Sequence, residues 1–257
     1  MKRRLFTAPG NIVLLLCLMY FITYVDRTNM STAAPLIRKE LGLSLTQMGL
    51  ALGAFGYAYA LFQIIGGYLG DRFGARLILT VCGLVWTLAT LLTGLAGGLF
   101  SLFLIRLLLG AGEGATFPTA TRAMQYWVAK DRRGWAQGVT HAFARVGNAV
   151  TPPIVVLLIE SMGWRAAFVI LGLASAVWVV AWSVYFRDDP KSHRGVTSDE
   201  VAALPVFVPH AQRAKVVTPW GPLLRRMAPV TLTYFCYGWS LWLYLFWLPS
   251  FLSLIHI

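Results

Sequence analysis

Four charged side chains lie inside stretches of the sequence that are otherwise apolar. Asp26 and Arg27 are adjacent in the first stretch, and Arg106 and Glu113 both lie in a later one. An ionisable group in hydrocarbon costs at least roughly 2.5–3.5 kcal/mol, so such groups usually line a cavity, pair with each other or help to move an ion. An arginine offers a planar, permanent cation to a carboxylate, whereas a carboxyl group can take up and release a proton. These residues therefore predict a site for an anion and a proton.

Helical spacing indicates which of these side chains share a face. Arg106 and Glu113 are separated by roughly 700° of rotation, which places them on nearly the same face and about 10 Å apart along the axis. Asp26 and Arg27 are about 100° apart and cannot both point straight at one partner. We therefore predict that Arg27 binds the anion and that Asp26 helps to carry a coupling proton. The alternative is a static network of ion pairs that only fixes helix packing.

The elements that position these charges are predicted to be membrane helices. Of the 257 residues, 58% are hydrophobic and 12% are charged, and the mean hydropathy is +0.66. About 20 apolar residues cross a bilayer as a helix. The sequence accordingly predicts seven spans: residues 11–30, 46–69, 77–95, 99–124, 136–159, 166–186 and 229–252. This composition excludes an ordinary soluble domain.

The net charge of +12 is explained by where the basic residues fall. Fifteen of the 22 Lys and Arg residues precede the first span or lie in loops on that side, whereas only Arg38, Lys39 and Arg165 lie on the opposite side. The positive-inside rule then predicts a multi-pass protein of the inner (plasma) membrane with a cytoplasmic N-terminus. No basic stripe with interleaved aromatic residues remains, so we expect no nucleic-acid partner.

The predicted spans group into an N-terminal bundle and the beginning of a second one. Residues 1–186 contain six spans, residues 187–227 form a polar, cytoplasmic linker, and residues 228–257 contain the seventh span. A loop this long between packed elements generally marks a linker between units. We therefore expect an all-α membrane protein with an N-terminal six-helix bundle and the first helix of a second bundle, truncated at its C-terminal side.

Other classes of protein are disfavoured by residues that the sequence lacks. Cys17, Cys82 and Cys236 fall within predicted spans without metal-ligand spacing, so we predict neither a metal site nor a disulfide framework. A membrane-embedded enzyme remains an alternative, but no zinc-site, nucleophile-elbow or phosphate-loop motif is present, and we expect no catalytic residue and no cofactor. A seven-helix receptor or light-driven protein is a second alternative, although the seventh span contains no lysine for a retinal Schiff base.

Three motifs resemble signatures of the major facilitator superfamily. The loop after the second span is similar to the family's Gly-x-x-x-Asp-Arg-x-Gly-Arg-Arg signature, with Ala75 at one basic position; its matching residues are Gly67, Asp71, Arg72, Gly74 and Arg76. The fourth span contains a second signature, Arg106-x-x-x-Gly110-x-Gly112, and residues 163–168 look like the usual beginning of the sixth helix. The resemblance implies the major facilitator fold and rocker-switch alternating access. We expect the loop residues to form a cytoplasmic gate.

Within the superfamily, the chain resembles the anion:cation symporter family, whose members move organic anions such as sugar acids. Five stretches carry the resemblance: residues 24–29, 113–118, 133–136, 187–193 and 247–249. The resemblance implies proton-coupled symport of a hexuronate, an aldarate or a similar carboxylate. It assigns proton coupling to Asp26, Arg106 and Glu113, and a substrate contact to Arg27. We expect the full-length protein to be a monomer whose partners are a small organic anion, protons and the lipid bilayer.

Four further side chains are candidates for binding the anion. Tyr59 could donate a hydrogen bond to a polyol or a carboxylate, and Arg145 could be a second cation for the anion, with Asn148 on the same polar face. Tyr237 resembles the aromatic lining of a sugar-acid cavity. Ordinary helix packing is the alternative for each of them.

Overall fold

The computed structural model describes residues 7–212 and 219–254. Within these ranges the regular structure is entirely helical, which confirms the predicted fold class. The longer helices are α1 (Ala8–Glu40), α2 (Leu45–Phe73), α3 (Ala75–Thr93), α4 (Leu99–Gly114), α5 (Thr116–Trp127), α6 (Arg133–Tyr185), α7 (Ser198–Ala203) and α8 (Trp220–Leu254). In the described part of the chain, five stretches are long and apolar enough to cross a membrane: Ala8–Glu40, Leu45–Phe73, Ala75–Thr93, Leu99–Trp127 and Lys130–Tyr185.

The last of these stretches contains two of the predicted spans. At 1.5 Å per residue its 56 residues would form a rod of roughly 84 Å, far longer than the roughly 30 Å hydrocarbon core of a bilayer. The backbone leaves the helical conformation at Gly163, where φ is +83°. This left-handed conformation suits a residue without a side chain. α6 therefore consists of two arms, residues 133–162 and residues 164–185, which match the predicted fifth and sixth spans.

The predicted fourth span is interrupted. α4 ends at Gly114, and α5 begins at Thr116. Pro118 explains the interruption, because proline has no N–H to donate to the carbonyl oxygen of Gly114 and its ring disfavours a continuous helix. The Thr116 hydroxyl donates instead to the carbonyl oxygen of Glu113 over 2.6 Å. The predicted span over residues 99–124 therefore contains a local break, although Leu99–Trp127 as a whole is long and apolar enough to cross a membrane.

The turn between α2 and α3 contains a single residue. Gly74 ends α2 and caps α3 with a φ of +88°, which allows the chain to turn without a loop. The carboxylate of Asp188 covers this turn and accepts hydrogen bonds from the backbone N–H groups of Ala75 at 2.6 Å and Arg76 at 3.2 Å. A carboxylate at a helix N-terminus satisfies free N–H groups and interacts favourably with the helix dipole. The segment after α6 is thus fixed to the beginning of α3.

Glycines let the helices of the bundle approach each other closely. A Cβ atom at Gly110 of α4 would lie 2.3 Å from the carbonyl oxygen of Phe55 in α2, and one at Gly66 of α2 would lie 2.0 Å from the Cβ of Ala115. A Cβ at Gly147 of α6 would lie 2.8 Å from the carbonyl oxygen of Phe21 in α1. Small residues at such contacts are typical of membrane helices, because they allow close backbone packing. α4 therefore lies tightly on α2, and the first arm of α6 on α1.

α8 begins earlier than the predicted boundary at residue 228. Its first turn contains Pro222, a position where proline is tolerated because its missing N–H has no helical acceptor. Arg225 and Arg226 follow, and their charge kept this turn outside the apolar run in the sequence. The division into a bundle, a linker and a second bundle stays a prediction.

Candidate functional site

The four charged residues singled out from the sequence come together in the interior of the bundle. The exposed fractions are 2% for Asp26 and Arg27, 1% for Arg106 and 0% for Glu113. The Nε atom of Arg27 donates to Oε2 of Glu113 over 2.8 Å, which forms a buried ion pair between α1 and α4. The remaining members of the set are close enough to interact electrostatically with this pair. We call these four residues the charge cluster.

The pairing follows from the way the helices pack. The glycines of α4 place this helix directly on α2, so side chains on the buried face of α4 reach past α2 to α1. Arg106 and Glu113 both lie on this buried face, as the spacing predicted. Glu113 pairs with Arg27, whereas the guanidinium carbon of Arg106 lies 4.9 Å from the ring centroid of Phe55.

Aromatic rings surround the guanidinium group of Arg27. Its guanidinium carbon lies between 4.7 and 5.5 Å from the centroids of five rings, which come from α1, α2, α5 and α8: Tyr24, Tyr59, Phe117, Phe55 and Trp242. Cations over aromatic faces are stabilised by about 0.5–2 kcal/mol each, more when they are desolvated. This arrangement keeps a buried arginine charged without saturating its hydrogen bonds.

Each member of the charge cluster has polar atoms that are buried and unpaired. Among the described residues, no hydrogen-bond partner exists for Oδ2 of Asp26, Nη2 of Arg27, Nε and Nη2 of Arg106, or Oε1 of Glu113. The other carboxylate oxygen of Asp26 accepts a long bond, 3.4 Å, from Asn29. Leaving a buried charge incompletely paired is costly, so a network built only to fix packing would be expected to satisfy these atoms.

A cavity of about 450 Å³ lies beside the charge cluster. Three of the predicted substrate-binding residues line it, namely Arg27, Tyr59 and Tyr237. The polar part of the wall also includes groups that can hydrogen-bond a solute: Gln63, Thr121, Gln137 and His141. A cavity of this size with a few convergent polar groups is typical of a small-molecule site.

The two other predicted contacts lie close to this cavity without forming its wall. The guanidinium group of Arg145 donates to the hydroxyl oxygen of Tyr237 and lies 5.7 Å from the centroid of Tyr24. Since Arg27 lies 4.8 Å from the same ring, Tyr24 stands between two cations. Asn148 accepts a hydrogen bond from Thr28 over 2.8 Å and so connects α6 to α1.

The polar part of the cavity wall lies toward the end of the molecule that carries most of the basic loops, and we infer that the cavity opens there. Gln63, Thr121 and Gln137 come from the parts of α2, α5 and α6 that lie nearest this end. At the other end, the indole of Trp247 lies over Gly49, where a Cβ atom would be 3.2 Å from the ring. Phe246 is buried beside Phe55, with ring centroids 6.4 Å apart. α8 therefore closes the end opposite to the opening.

The predicted gate residues make contacts at the basic end. Asp71 forms an ion pair with Arg122 of α5, and Arg76 donates from Nε and Nη2 to the carbonyl oxygen of Ser183 at 3.0 and 2.7 Å. Arg72 lies over the ring of Phe73 at 5.3 Å. A Cβ at Gly67 would meet Pro118 at an ordinary distance of 3.6 Å, whereas one at Gly74 would lie 2.7 Å from the carboxylate of Asp188. None of these residues lines the cavity.

Several residues at the site were not predicted from the sequence. Phe55 looked like an ordinary apolar residue, because nothing in its spacing shows that it lies over a guanidinium group. Trp242, like Tyr237, resembles the aromatic lining of a sugar-acid cavity, but its position over Arg27 required the fold. Arg122 was counted only as a charge within a span. Its ion pair with Asp71 could not be predicted from their spacing in the sequence, since the two residues come from different helices. Asp188 belonged to a motif of the family resemblance, but its role as the cap of α3 required the fold.

The described residues contain no group of three or more His, Cys, Asp or Glu side chains that could hold a metal ion. The cavity and the charge cluster bring a guanidinium group beside buried carboxyl groups, an arrangement that suits an anion.

Comparisons with known proteins give consistent results. The sequence profile of the Major Facilitator Superfamily matches residues 16–257. A "Probable sulfoacetate transporter" of Cupriavidus necator is 50% identical over 254 residues, which cover 98% of this chain and 59% of the relative. A "Hexuronate transporter" of Bacillus subtilis is 32% identical, over 94% of this chain and 56% of the relative. The chain thus spans somewhat more than half the length of these relatives.

Solved structures show the same fold at low identity. A bacterial homologue of the human lysosomal transporter Spinster, crystallised in an inward-facing and unoccupied conformation, matches with a TM-score of 0.70 at 20% identity. The match covers 100% of this chain and 57% of that one. The xylose transporter of Escherichia coli in an inward-open conformation matches with a TM-score of 0.63 at 14% identity, over 71% of this chain and 49% of that one.

Proposed function

Since this chain belongs to the Major Facilitator Superfamily, we propose that it forms the anion-binding part of a secondary transporter that carries a small organic anion together with a proton. The observation that carries the proposal is the position of Arg27, which lines the cavity and pairs with a buried carboxylate. The names of the relatives support an organic-anion substrate, such as sulfoacetate, a hexuronate or an aldarate. The same names and the family identify transporters and not enzymes.

The anion is bound by Arg27 in this proposal, with Arg145 as a second cation. A guanidinium group is suited to a carboxylate or sulfonate because its N–H groups form a planar fork. Nη2 of Arg27 has no hydrogen-bond partner among the described residues, so Arg27 has donor capacity beyond its bond to Glu113. Tyr59 and Tyr237 provide hydroxyl groups at the cavity wall, and Asn148 holds α6 against α1.

Proton coupling follows from the charges of the cluster. With Asp26 and Glu113 ionised, the two carboxylates balance the charges of Arg27 and Arg106, and the cluster is neutral. An anion that binds to Arg27 adds a negative charge in a region of low dielectric, where an unbalanced charge is costly. Protonation of Glu113 or Asp26 restores neutrality and releases Arg27 toward the anion. The bound anion therefore favours uptake of a proton, which is the thermodynamic requirement for symport.

Transport then requires the cavity to open alternately to the two sides of the membrane. We assign the opening at the basic end to the cytoplasm of the inner membrane, on the basis of the positive-inside rule. The contacts of Asp71 and Arg76 at that end would have to change when the cavity closes there, and the contact between Gly49 and Trp247 would have to open. Alternation around a fixed central site is the general mode of action of such carriers.

The experiment uses a test carrier in which this chain is followed by the remaining residues of the Cupriavidus necator relative. Uptake of labelled sulfoacetate and glucuronate is measured in proteoliposomes, with and without an imposed proton gradient. Replacing Arg27 with alanine should weaken the apparent affinity for the anion at least roughly 30-fold, because a buried charge-assisted contact is lost. Arg132→Ala, which removes an exposed arginine at the basic end, is the matched control and should leave affinity unchanged.

A second variant separates binding from coupling. Asp26→Asn should retain exchange of external for internal anion, because Arg27 and the cavity are intact, but should lose accumulation driven by the proton gradient. An Arg27→Ala carrier with unchanged affinity would contradict the anion site. Accumulation by the parent test carrier that is insensitive to a protonophore would contradict proton coupling.

A further inference from the structure

A second cleft lies on the outside of the bundle, where α6 ends. It has a volume of about 610 Å³ and is lined by Val184, Tyr185 and the segment that follows them: Arg187, Ser192, His193, Arg194 and Gly195. The ring of His193 packs edge-on against Trp127 and Tyr185, with centroids 5.3 and 4.8 Å apart, and fixes the segment against the bundle. The cleft is separate from the central cavity and shares no lining residue with it.

The cleft is basic, and its cations are not neutralised by the protein. Arg187 uses Nη1 to donate to the carbonyl oxygens of Val184 and Phe186, at 2.7 and 2.8 Å, which caps the end of α6. In the described ranges, its other guanidinium nitrogens have no hydrogen bond, and neither Arg187 nor the exposed Arg194 forms an ion pair.

The nearby carboxylates are turned to other partners. Asp188 accepts from the backbone N–H groups at the beginning of α3, and Asp189 accepts from the N–H of Lys191 over 2.9 Å. The cleft therefore presents cations toward its opening without an acid to balance them, and it suits an anionic group.

An apolar strip continues from this cleft along α6 into the membrane. Four side chains with exposed fractions between 56% and 71% share one face, because they follow each other at intervals of four, three and four residues: Leu173, Val177, Val180 and Val184. The strip is roughly 16 Å long at 1.5 Å per residue, which is close to the roughly 15 Å of one hydrocarbon leaflet. The strip matches the length of a phospholipid acyl region in the adjacent leaflet, and the basic cleft at its end complements the charge of an anionic headgroup.

We propose that this cleft binds the headgroup of an anionic phospholipid through Arg187 and Arg194, while an acyl chain lies along the strip from Val184 to Leu173. Basic pockets beside membrane helices attract the anionic lipids of the cytoplasmic leaflet, and each basic residue that lies against the headgroup contributes about fivefold in affinity. Such a lipid would hold the segment after α6 at the membrane surface, where Asp188 caps α3.

The test uses this chain in nanodiscs that contain equal amounts of phosphatidylglycerol and phosphatidylcholine. Native mass spectrometry counts the lipids that stay bound after the protein is released from the nanodisc. We expect retention of phosphatidylglycerol over phosphatidylcholine. The double variant Arg187→Gln, Arg194→Gln should lower the apparent affinity roughly 25-fold. Lys130→Gln, Arg132→Gln removes the same charge from exposed positions at the same end and should have no effect. Arg194→Gln alone, whose side chain makes no described hydrogen bond, should reduce the affinity about fivefold and guards against misfolding of the double variant.

The strip distinguishes a lipid from a free anion. Val184→Asn keeps all charges and should weaken retention of phosphatidylglycerol roughly tenfold, because the contact of an apolar side chain is lost. If Val184→Asn leaves retention unchanged, or if inorganic phosphate displaces the lipid, the cleft is a site for free anions and the proposal is wrong. Equal retention of phosphatidylcholine, or a dimer that the valine variant dissociates, would likewise overturn it.

Discussion

Arg145 is held at the cavity by an aromatic hydroxyl group. Its guanidinium group donates to Tyr237 of α8, and among the described residues it forms no ion pair with a carboxylate. A cation that is hydrogen-bonded to a neutral group is not balanced by a carboxylate, so its charge remains available to a bound anion. The two cations near Tyr24 thus differ: Arg27 is paired with a carboxylate and Arg145 is not, so in the proposed function only Arg27 has to exchange a carboxylate for the substrate.

This difference predicts the effect of removing one hydroxyl group. Tyr237→Phe in the test carrier should raise the concentration for half-maximal anion uptake roughly tenfold, because a hydrogen bond to a charged group contributes about 1.5–3 kcal/mol and Arg145 would lose its position. The maximal rate with a saturating proton gradient should stay within about twofold, since the charge cluster is unchanged. Tyr234→Phe is the control, because Tyr234 also lines the cavity and its hydroxyl makes no described hydrogen bond. Equal effects of the two variants would contradict the assignment.

At the scale of residues, the sequence predicted which charged side chains are buried more accurately than it predicted the partners of these side chains. Burial of Asp26 and Arg27 follows from their position in an apolar run, and the common face of Arg106 and Glu113 follows from helical geometry. The pairing of Glu113 with Arg27 depends on how closely α4 approaches α1, and this distance is set by packing of three helices. Phe55 could not be recognised as a neighbour of two arginines, since an aromatic residue in a membrane helix usually has only a packing role.

The close contact between α2 and α4 determines the geometry of the charge cluster. Gly66 and Gly110 leave so little room that a single methyl group would overlap the backbone or Cβ of the facing helix. Widening this contact would move Glu113 away from Arg27, so in the proposed function stability and transport depend on the same glycines.

A pair of glycine substitutions in one helix tests this dependence. Gly66→Ala should destabilise the protein by roughly 1–3 kcal/mol, because the new Cβ would overlap Ala115. Gly53→Ala is the matched control in α2: nothing lies within 4 Å of its Cβ position, and alanine favours a helix, so stability should stay equal or increase slightly. Thermal unfolding in detergent, followed by intrinsic fluorescence, measures both. A Gly66→Ala protein as stable as the parent would show that α2 and α4 are not in close contact.

The cap of α3 predicts a pH dependence of stability. Burial raises the pKa of Asp188, against the backbone N–H groups of Arg76 and Ala75, which lower it. A carboxyl group with a raised pKa stabilises the fold fully below its ordinary pKa of about 4, and this contribution is lost as the pH rises through the raised value. The unfolding temperature of the parent, relative to Asp188→Asn, should therefore decrease from about pH 4 to pH 7. Asp131→Asn changes an exposed acid and should give a flat difference; a difference for Asp188→Asn that increases with pH would contradict the prediction.

At the scale of elements, hydrophobic runs located the helices but not their interruptions. The break between α4 and α5 depends on Pro118 within an otherwise apolar stretch, and prolines are common in continuous membrane helices, as Pro152 and Pro153 of α6 demonstrate. Gly163 was easier to anticipate, because charged and polar residues surround it. The early beginning of α8 could not be predicted, since Arg225 and Arg226 are polar and only the fold shows that they are helical.

The molecule as a whole has two ends of different character. The basic end carries the opening of the cavity, the turn at Gly74 and the lipid cleft. The opposite end is closed by α8 and tied together by Arg165, which donates to Glu40 at 3.0 Å and to the carbonyl oxygens of Gly94 and Ala96. In the proposed function, the orientation in the membrane therefore decides from which side the anion reaches Arg27.

Cysteine labelling tests this orientation. In a Cys236→Ser background, where Cys17 and Cys82 are buried, Asp131→Cys at the basic end should react with a membrane-impermeant maleimide only after the cells are permeabilised. Gly97→Cys, in the exposed turn at the other end, should react in intact spheroplasts. The reverse pattern would place the N-terminus outside and contradict the positive-inside assignment.

Gly49 lies under the indole of Trp247 with no side chain of its own, so α2 and α8 can approach each other closely at this end of the molecule. A leucine at this position would separate α2 from α8. Gly49→Leu should therefore keep the test carrier open at this end and prevent it from closing. Such a protein would still capture labelled anion from the periplasmic face, with an affinity near that of the parent, yet counterflow across the vesicle membrane would cease. In the proposed transport cycle, the absence of a side chain at Gly49 allows closure at this end and hence turnover.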